Sequence, residues 1–371
     1  MRILIVMPLA EQRGGAELLL VDLLRAGLNL AQWEAIFLQP EGPLILQLES
    51  LGVPTCATAA GRIRQPYQYL KTLRFLVKQI RRVRPDCVFS WMSKAHLYAG
   101  PAAWLTHTPA LWYQHGIPAL NNTWDRAIAR IPAKGIVATS QKAADEQTKL
   151  RPHRPMLVVP PGTDLQRFDP LALEPASILR EQLGLPTTGA LIGMVGRLQR
   201  WKGMHTLIEA MPLILQAFPD AHCVIVGGEH ALEPDYPAYL QQRIGALGLQ
   251  SRVILAGFQK NVEQWIQACD VFVHASDNEP FGIVVIEAMA LGKPVVAGAE
   301  GGPREIITEG VDGLFAPYGQ PEALAQAVLR YLQNPEFARQ MGEAARRRAQ
   351  EFSIQRYAQR FVKAVQTLLS G

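Results

Sequence analysis

Two stretches of this chain share one pattern: an apolar run, a glycine-bearing turn, then a segment of helical period. The first goes from Arg2–Pro8 through Gly14-Gly15 into Leu18–Leu28. The second goes from Ala190–Arg197 through Gly203 into Met204–Phe218. A continuous apolar run suits a strand buried on both faces, which a parallel sheet covered by helices provides. The expected fold class is therefore α/β, with two Rossmann-like doubly wound domains facing a central cleft. Neither turn reads Gly-x-Gly-x-x-Gly, and no Gly-Lys-Ser/Thr follows the second, so the dinucleotide and Walker fingerprints are absent.

The 371 residues exceed one ordinary core, which agrees with two domains of about 150–200 residues each. The turn-rich run Pro160-Pro161-Gly162-Thr163-Asp164, with Phe168-Asp169-Pro170 behind it, marks the boundary. The expected division is 1–163, 164–352 and a last amphipathic helix in 353–371, capped by Ser353. Further strands are expected at Ala35–Leu38, Cys87–Ser90, Ala110–Gln114, Gly135–Thr139 and Met156–Val159. The second half adds Cys223–Val226, Val253–Leu255, Val271–His274 and Pro294–Ala297.

Hydrophobic residues at 49% and charged residues at 19% exclude a disordered chain. Cys56, Cys87, Cys223 and Cys269 form no Cys-x-x-Cys pair and read as buried free thiols in a reducing compartment. Ile3–Ala10 reads as a first strand rather than a signal segment. Leu97–Trp124 lacks Asp, Glu, Lys and Arg, but Pro101, Pro109 and Pro118 interrupt it as a membrane span. A cytoplasmic protein, soluble or peripheral on the inner face of a membrane, is the expectation.

Residues 1–158 hold 19 Lys and Arg against 10 Asp and Glu, so the basic balance sits in the first half. Such a half is suited to an anionic partner. Arg64–Arg82 concentrates the charge: its apolar residues recur at helical spacing and its other face is basic. That face fits an anionic membrane surface or a phosphorylated acceptor, and equally a solvated helix.

The chemistry points to Asn278–Ala297. Pro280 and Gly282 delay a helix that runs to Ala290 and stops at Gly292. Glu279 then lies on the loop ahead of the helix and Glu287 one to two turns inside it. Between them is a helix N-terminus, whose free N–H groups and partial positive charge suit an anion. A diphosphate flanked by hydroxyl-rich groups, such as a nucleotide sugar, fits that arrangement. Arg197, Arg200 and Lys202 lie just past a strand, with chemistry suited to phosphate oxygens. His115 follows the strand Ala110–Gln114, at the strand end where such sheets place ligands. Asp-x-Asp is absent, and no carboxylate cluster for a divalent metal is evident.

Taken together, these pieces resemble the family-four glycosyltransferases, retaining enzymes of the GT-B fold. The resemblance covers essentially the whole chain and is strongest from Val158 to Pro317. Gly14-Gly15-Ala16-Glu17, Pro161-Gly162-Thr163-Asp164 with Arg167-Phe168, and Gly196-Arg197-Leu198 with Lys202-Gly203 carry it. So do Glu279-x7-Glu287, enclosing Pro280-Phe281-Gly282, and Gly301-Gly302-Pro303-x-Glu305. Pro161 departs from the pattern, since members often have Asn there.

The resemblance implies that Arg197 and Lys202 bind the donor diphosphate and stabilise the leaving group. It implies that Phe281, Gly282, Ile283 and Val284 offer backbone N–H groups, that Glu287 accepts from the ribose hydroxyls, and that Glu279 meets the donor sugar. Gly14 and Gly15 let the diphosphate approach, and His115 lies near the scissile bond. The catalytic set is then His115, Glu279, Arg197 and Lys202. The first domain is implied to hold the acceptor, a glycolipid or cell-envelope polysaccharide precursor, and the last helix to cross back to that domain. No metal or other cofactor and no nucleic-acid partner is expected. Alternatives are a GT-B epimerase or hydrolase of sugar nucleotides, or a non-catalytic nucleotide-sugar-binding protein.

Overall fold

The structure, a computed structural model, describes residues 1–11, 14–60, 64–151 and 153–371. Gln12 and Arg13 of the first glycine turn lie outside the described residues. The chain divides into two compact units, 1–162 with 354–371, and 163–353.

The first unit alternates strand and helix almost without exception. Its elements are β1 (Arg2–Met7), α1 (Gly15–Gly27), β2 (Gln32–Phe37), α2 (Pro43–Ser50), β3 (Thr55–Ala57), α3 (Pro66–Val83) and β4 (Cys87–Ser90). There follow α4 (Ser93–Leu105), β5 (Ala110–Gln114), α5 (Thr123–Arg130), β6 (Gly135–Ala138), α6 (Gln141–Leu150) and β7 (Met156–Val158). The strands form one parallel sheet in the order β3-β2-β1-β4-β5-β6-β7. Its central strands are buried along their length, as a sheet covered on both faces requires.

The second unit repeats the plan. It comprises α7 (Ala176–Gln182), β8 (Leu191–Val195), α8 (Met204–Ala217), β9 (His222–Val226), α9 (Tyr236–Ala246), β10 (Val253–Gly257) and α10 (Val262–Ala268). It continues with β11 (Val271–His274), α11 (Ile283–Ala290), β12 (Val295–Gly298), α12 (Pro303–Ile306), β13 (Leu314–Ala316), α13 (Pro321–Leu332) and α14 (Pro335–Ala349). The sheet order is β10-β9-β8-β11-β12-β13, again parallel. The last helix, α15 (Ile354–Ser370), belongs to the first unit and packs on α1. Its Phe361 joins Trp33, Phe89, Trp91 and Tyr113 in one aromatic cluster.

In each sheet the strand order reverses once, between β1 and β4 and between β8 and β11. At such a reversal the connections from the two neighbouring strands run to opposite faces of the sheet, and the strands' carboxyl ends there are where doubly wound sheets place ligands.

The structure corrects several details read from the sequence. The helix after the first glycine turn starts at Gly15, not Leu18, so Gly15 is its first residue and Gly14 its extended N-cap. Arg64 precedes α3, whose buried stripe is Thr72, Leu76, Ile80 and Val83. Pro101, read as an interruption of a membrane span, lies inside α4. Among the described residues no helix is long and apolar enough to cross a membrane. Cys87, Cys223 and Cys269 are buried free thiols, but Cys56 on the edge strand β3 is only half-buried. Burial pushes the Cys87 thiol up to about 12, with Asp86 adding to the effect, so it stays protonated and a poor nucleophile.

Candidate active site

In the second unit, β8 and β11 are hydrogen-bonded neighbours, so the loops beyond them emerge side by side. After β8 the chain crosses toward β9: Leu198 N donates to Gly228 O at 2.9 Å. A single 3-10 turn, Arg200–Lys202, then reverses it. Gly203 closes that turn at φ 78°, and a Cβ there would stand 2.1 Å from the backbone oxygen of Ala275. Only glycine suits a position that combines left-handed backbone with so close an approach. Asp277 N donates to Trp201 O at 2.7 Å and fastens the two loops to each other.

The loop after β11 carries Ser276, Asp277, Asn278 and Glu279. Asn278 adopts φ 42°, a left-handed conformation that Asn tolerates better than most residues. This turns the chain so that Glu279 pairs with Gly301, with Gly302 N donating to Glu279 O at 2.7 Å. Gly282 at φ 101° is then the N-cap of α11. The amides of Gly282, Ile283 and Val284 precede Val285, whose N–H donates to Gly282 O at 2.9 Å, and remain available at the positive end of the helix. The Phe281 side chain is buried and packs on Phe352 at 6.0 Å.

Four side chains meet at this point. Lys202 Nζ donates to Glu279 Oε2 at 2.5 Å, and both side chains are nearly buried, at 14% and 10% exposure. His274 Nε2 lies 3.1 Å from the same oxygen and 3.1 Å from Ser276 Oγ. His274 Nδ1 is enclosed without a partner among the described residues. Burial opposes the charged form of Glu279, but Lys202 and His274 more than offset it and hold the carboxyl well below its usual range.

The sequence-derived candidates fall into separate groups. Lys202, Glu279 and the N-terminus of α11 share one corner of the second unit. Glu287, in the second turn of α11, is half-buried. Arg197 is exposed, with no acidic partner among the described residues. Arg200 is committed elsewhere, stacked on Tyr236 and Tyr239 at 5.1 and 5.0 Å and paired with Asp235. Gly14, Gly15 and His115 belong to the first unit. His115 packs on Trp91 and Tyr113, ring centroids 5.1 and 4.1 Å away, and its Nε2 is enclosed without a partner among the described residues. Burial pushes His115 down to about 3 against a hydrogen bond to the Trp91 backbone, so its ring is neutral near pH 7. His274 and Ser276 were not singled out from the sequence. The available signal was a histidine ending a strand five residues before Glu279.

A lysine and free helix amides around a fixed carboxylate can bind a diphosphate and stabilise negative charge developing on it. Two parallel-sheet α/β units with this site at a sheet's reversal point define the class: the fold is GT-B. Two family models match the chain, Glycosyltransferase Family 4 over residues 13–167 and Glycosyl transferases group 1 over residues 176–348. The chain belongs to this glycosyltransferase family.

Among its relatives, the D-inositol 3-phosphate glycosyltransferase of Corynebacterium urealyticum is 33% identical over 239 residues, covering 63% of this chain and 56% of the relative. That of Streptomyces griseus is 33% identical over 237 residues, covering 58% and 50%. The chain thus spans about half the length of these curated relatives. Anabaena HepE, solved in complex with UDP-glucose, is 27% identical, with TM-score 0.87 over 100% of both chains. A glycosyltransferase from Rickettsia africae shares the fold at TM-score 0.85 and 23% identity, covering 100% of this chain and 99% of that one.

Proposed function

We propose that this protein is a retaining glycosyltransferase that moves a sugar from a nucleoside-diphosphate sugar to an acceptor hydroxyl without a metal. The observation that carries the reading is the buried Lys202–Glu279 pair beside the N-terminus of α11. Lys202, Arg197 and the amides of Phe281 to Val284 take the diphosphate. Glu287 holds the ribose hydroxyls and Glu279 the donor sugar. The bond from the sugar's anomeric carbon to phosphate breaks with its electron pair going to the diphosphate. The acceptor oxygen attacks from the same face and its proton passes to the leaving phosphate oxygen. The roles of Gly14, Gly15 and His115 rest on the family resemblance. HepE, in complex with UDP-glucose, supports a uridine donor.

The test is turnover of UDP-glucose and related donors with and without acceptors, including inositol phosphate, for which the relatives are named. Acceptor-dependent UDP release that survives EDTA is the expected result. Rapid stoichiometric donor turnover without acceptor supports the hydrolase or epimerase reading instead. Glu287→Ala is expected to weaken UDP binding about tenfold, read as a smaller UDP-induced thermal shift. An unchanged shift removes Glu287 from the nucleotide site.

The acceptor is proposed to be anionic or lipid-linked, a glycolipid or envelope precursor reached at the inner membrane face. Support comes from α3, which presents Lys71, Arg74, Lys78 and Arg81 on one exposed face, unpaired among the described residues, with Tyr67 75% exposed near its start. Vesicles rich in phosphatidylglycerol are expected to bind the protein at low salt, and Arg74→Glu with Lys78→Glu to abolish that binding. Equal binding to neutral vesicles, or none at low salt, rejects the membrane contact.

A further inference from the structure

Glu279 is held by two groups of different character, and both reach the same oxygen. Lys202 and His274 contact Oε2, whereas Oε1 makes no hydrogen bond to any described residue. Lys202 carries its ammonium on a flexible four-carbon stem with three donors, so it can follow a phosphate. His274 cannot. It is the last residue of β11, 1% exposed, with a ring fixed by the strand beneath it.

The position of the proton on that ring follows from its surroundings. His274 Nδ1 is enclosed without a partner among the described residues, while Nε2 faces Glu279 Oε2 and Ser276 Oγ, each at 3.1 Å. A proton on Nδ1 leaves a buried donor unsatisfied and points the Nε2 lone pair at a carboxylate. A proton on Nε2 leaves only a bare lone pair in the enclosed space and supplies a donor where two acceptors wait. The ring therefore donates from Nε2.

We infer that His274 is a positioning residue: its Nε2–H fixes Oε2 of Glu279 and leaves Oε1 to accept from the donor sugar, independently of where Lys202 points. This deepens the proposed function and rests on the reading of Glu279 as a donor-sugar ligand. Its use is greatest when a diphosphate is bound. Lys202 then has phosphate oxygens to serve, and a carboxylate held by Lys202 alone would be released to rotate. With His274 in place, the sugar-facing oxygen keeps its direction throughout the reaction.

The test compares His274→Gln with His274→Met, which are alike in length and shape but differ in having a donor. His274→Met is expected to lower kcat with UDP-glucose about tenfold or more, while the Kd for UDP, which lacks the sugar, stays within about twofold. His274→Gln is expected to recover turnover to within about threefold of the natural protein. In a Glu279→Gln background His274→Met is expected to add little, because both changes act through one carboxylate. His274→Leu replaces the methionine variant should that fail to fold. Natural kcat in His274→Met overturns the inference. So does a His274→Gln variant as defective as the methionine one, or UDP affinity falling in step with turnover. If Glu279→Gln itself has natural activity, the reading of Glu279 fails. If Glu279→Gln is inactive and His274→Met is not, only the positioning role fails.

Discussion

Lys202→Ala is expected to lower kcat by about two to three orders of magnitude, as removal of a preorganised group facing a charged transition state does elsewhere. On the proposed mechanism the substitution takes away the cation facing the leaving diphosphate, and it also strips Glu279 of its closest partner. Removing one member of a nearly buried pair leaves the other charge uncompensated, so the melting temperature is expected to fall as well. The pH dependence separates the two effects. The carboxyl of Glu279 is depressed in the folded protein, so its contribution to stability is present above the ordinary carboxylate value and is lost as pH falls toward the folded value. The stability gap between natural protein and variant is therefore widest near neutrality and narrows below about pH 4. Acceptor-dependent UDP release and melting curves from pH 3 to 8 measure both. Turnover within threefold of the natural protein would remove Lys202 from the site.

Gly203→Ala is expected to be nearly as damaging, although the residue touches no ligand. Its new Cβ would meet the Ala275 carbonyl oxygen at 2.1 Å, and at φ 78° the alanine is strained in any case. The new Cβ is fixed to its own backbone and the atom it meets is a backbone oxygen, so no side chain can swing away and the 3-10 turn must shift from Ala275. Moving Lys202 by even about 1 Å is enough to cost on the order of a hundredfold in turnover. Strain and lost packing together cost about 2 kcal/mol, a drop in melting temperature of several degrees. The measurement is kcat of the soluble variant alongside its melting curve. Natural activity with a lowered melting temperature would mean that the turn sets stability without placing Lys202.

Strands were legible where burial on both faces writes a continuous apolar run: Cys87–Ser90, Ala110–Gln114 and Val271–His274 were read to the residue. The edge strand β3 was missed because three half-buried residues, Thr55–Ala57, carry no such run. The start of α1 was misplaced because glycine is a poor helix former, and Gly15 nevertheless opens the helix. The site divides in the same way. Glu279, Gly282 and Glu287 sit within one loop and helix, so local sequence suffices to group them. Lys202 lies 77 residues from Glu279, and only the reversal of strand order between β8 and β11 makes them neighbours. Family resemblance assigned both to one donor site, but their direct pairing is seen only in the structure. His274 had no such help: its approach to Glu279 depends on the left-handed turn at Asn278, a dihedral that residue identity permits but does not announce.

The last helix has a consequence for how the chain is made. The second unit, 163–353, is one uninterrupted segment, whereas the first takes α15 from beyond it. During synthesis from the amino end, the unit begun first is completed last. Trp33, Phe89, Trp91 and Tyr113 wait for Phe361 while the whole second unit is translated. Over that interval an aromatic surface lacks its cover, and such surfaces are what chaperones bind and what drives aggregation when synthesis outruns folding.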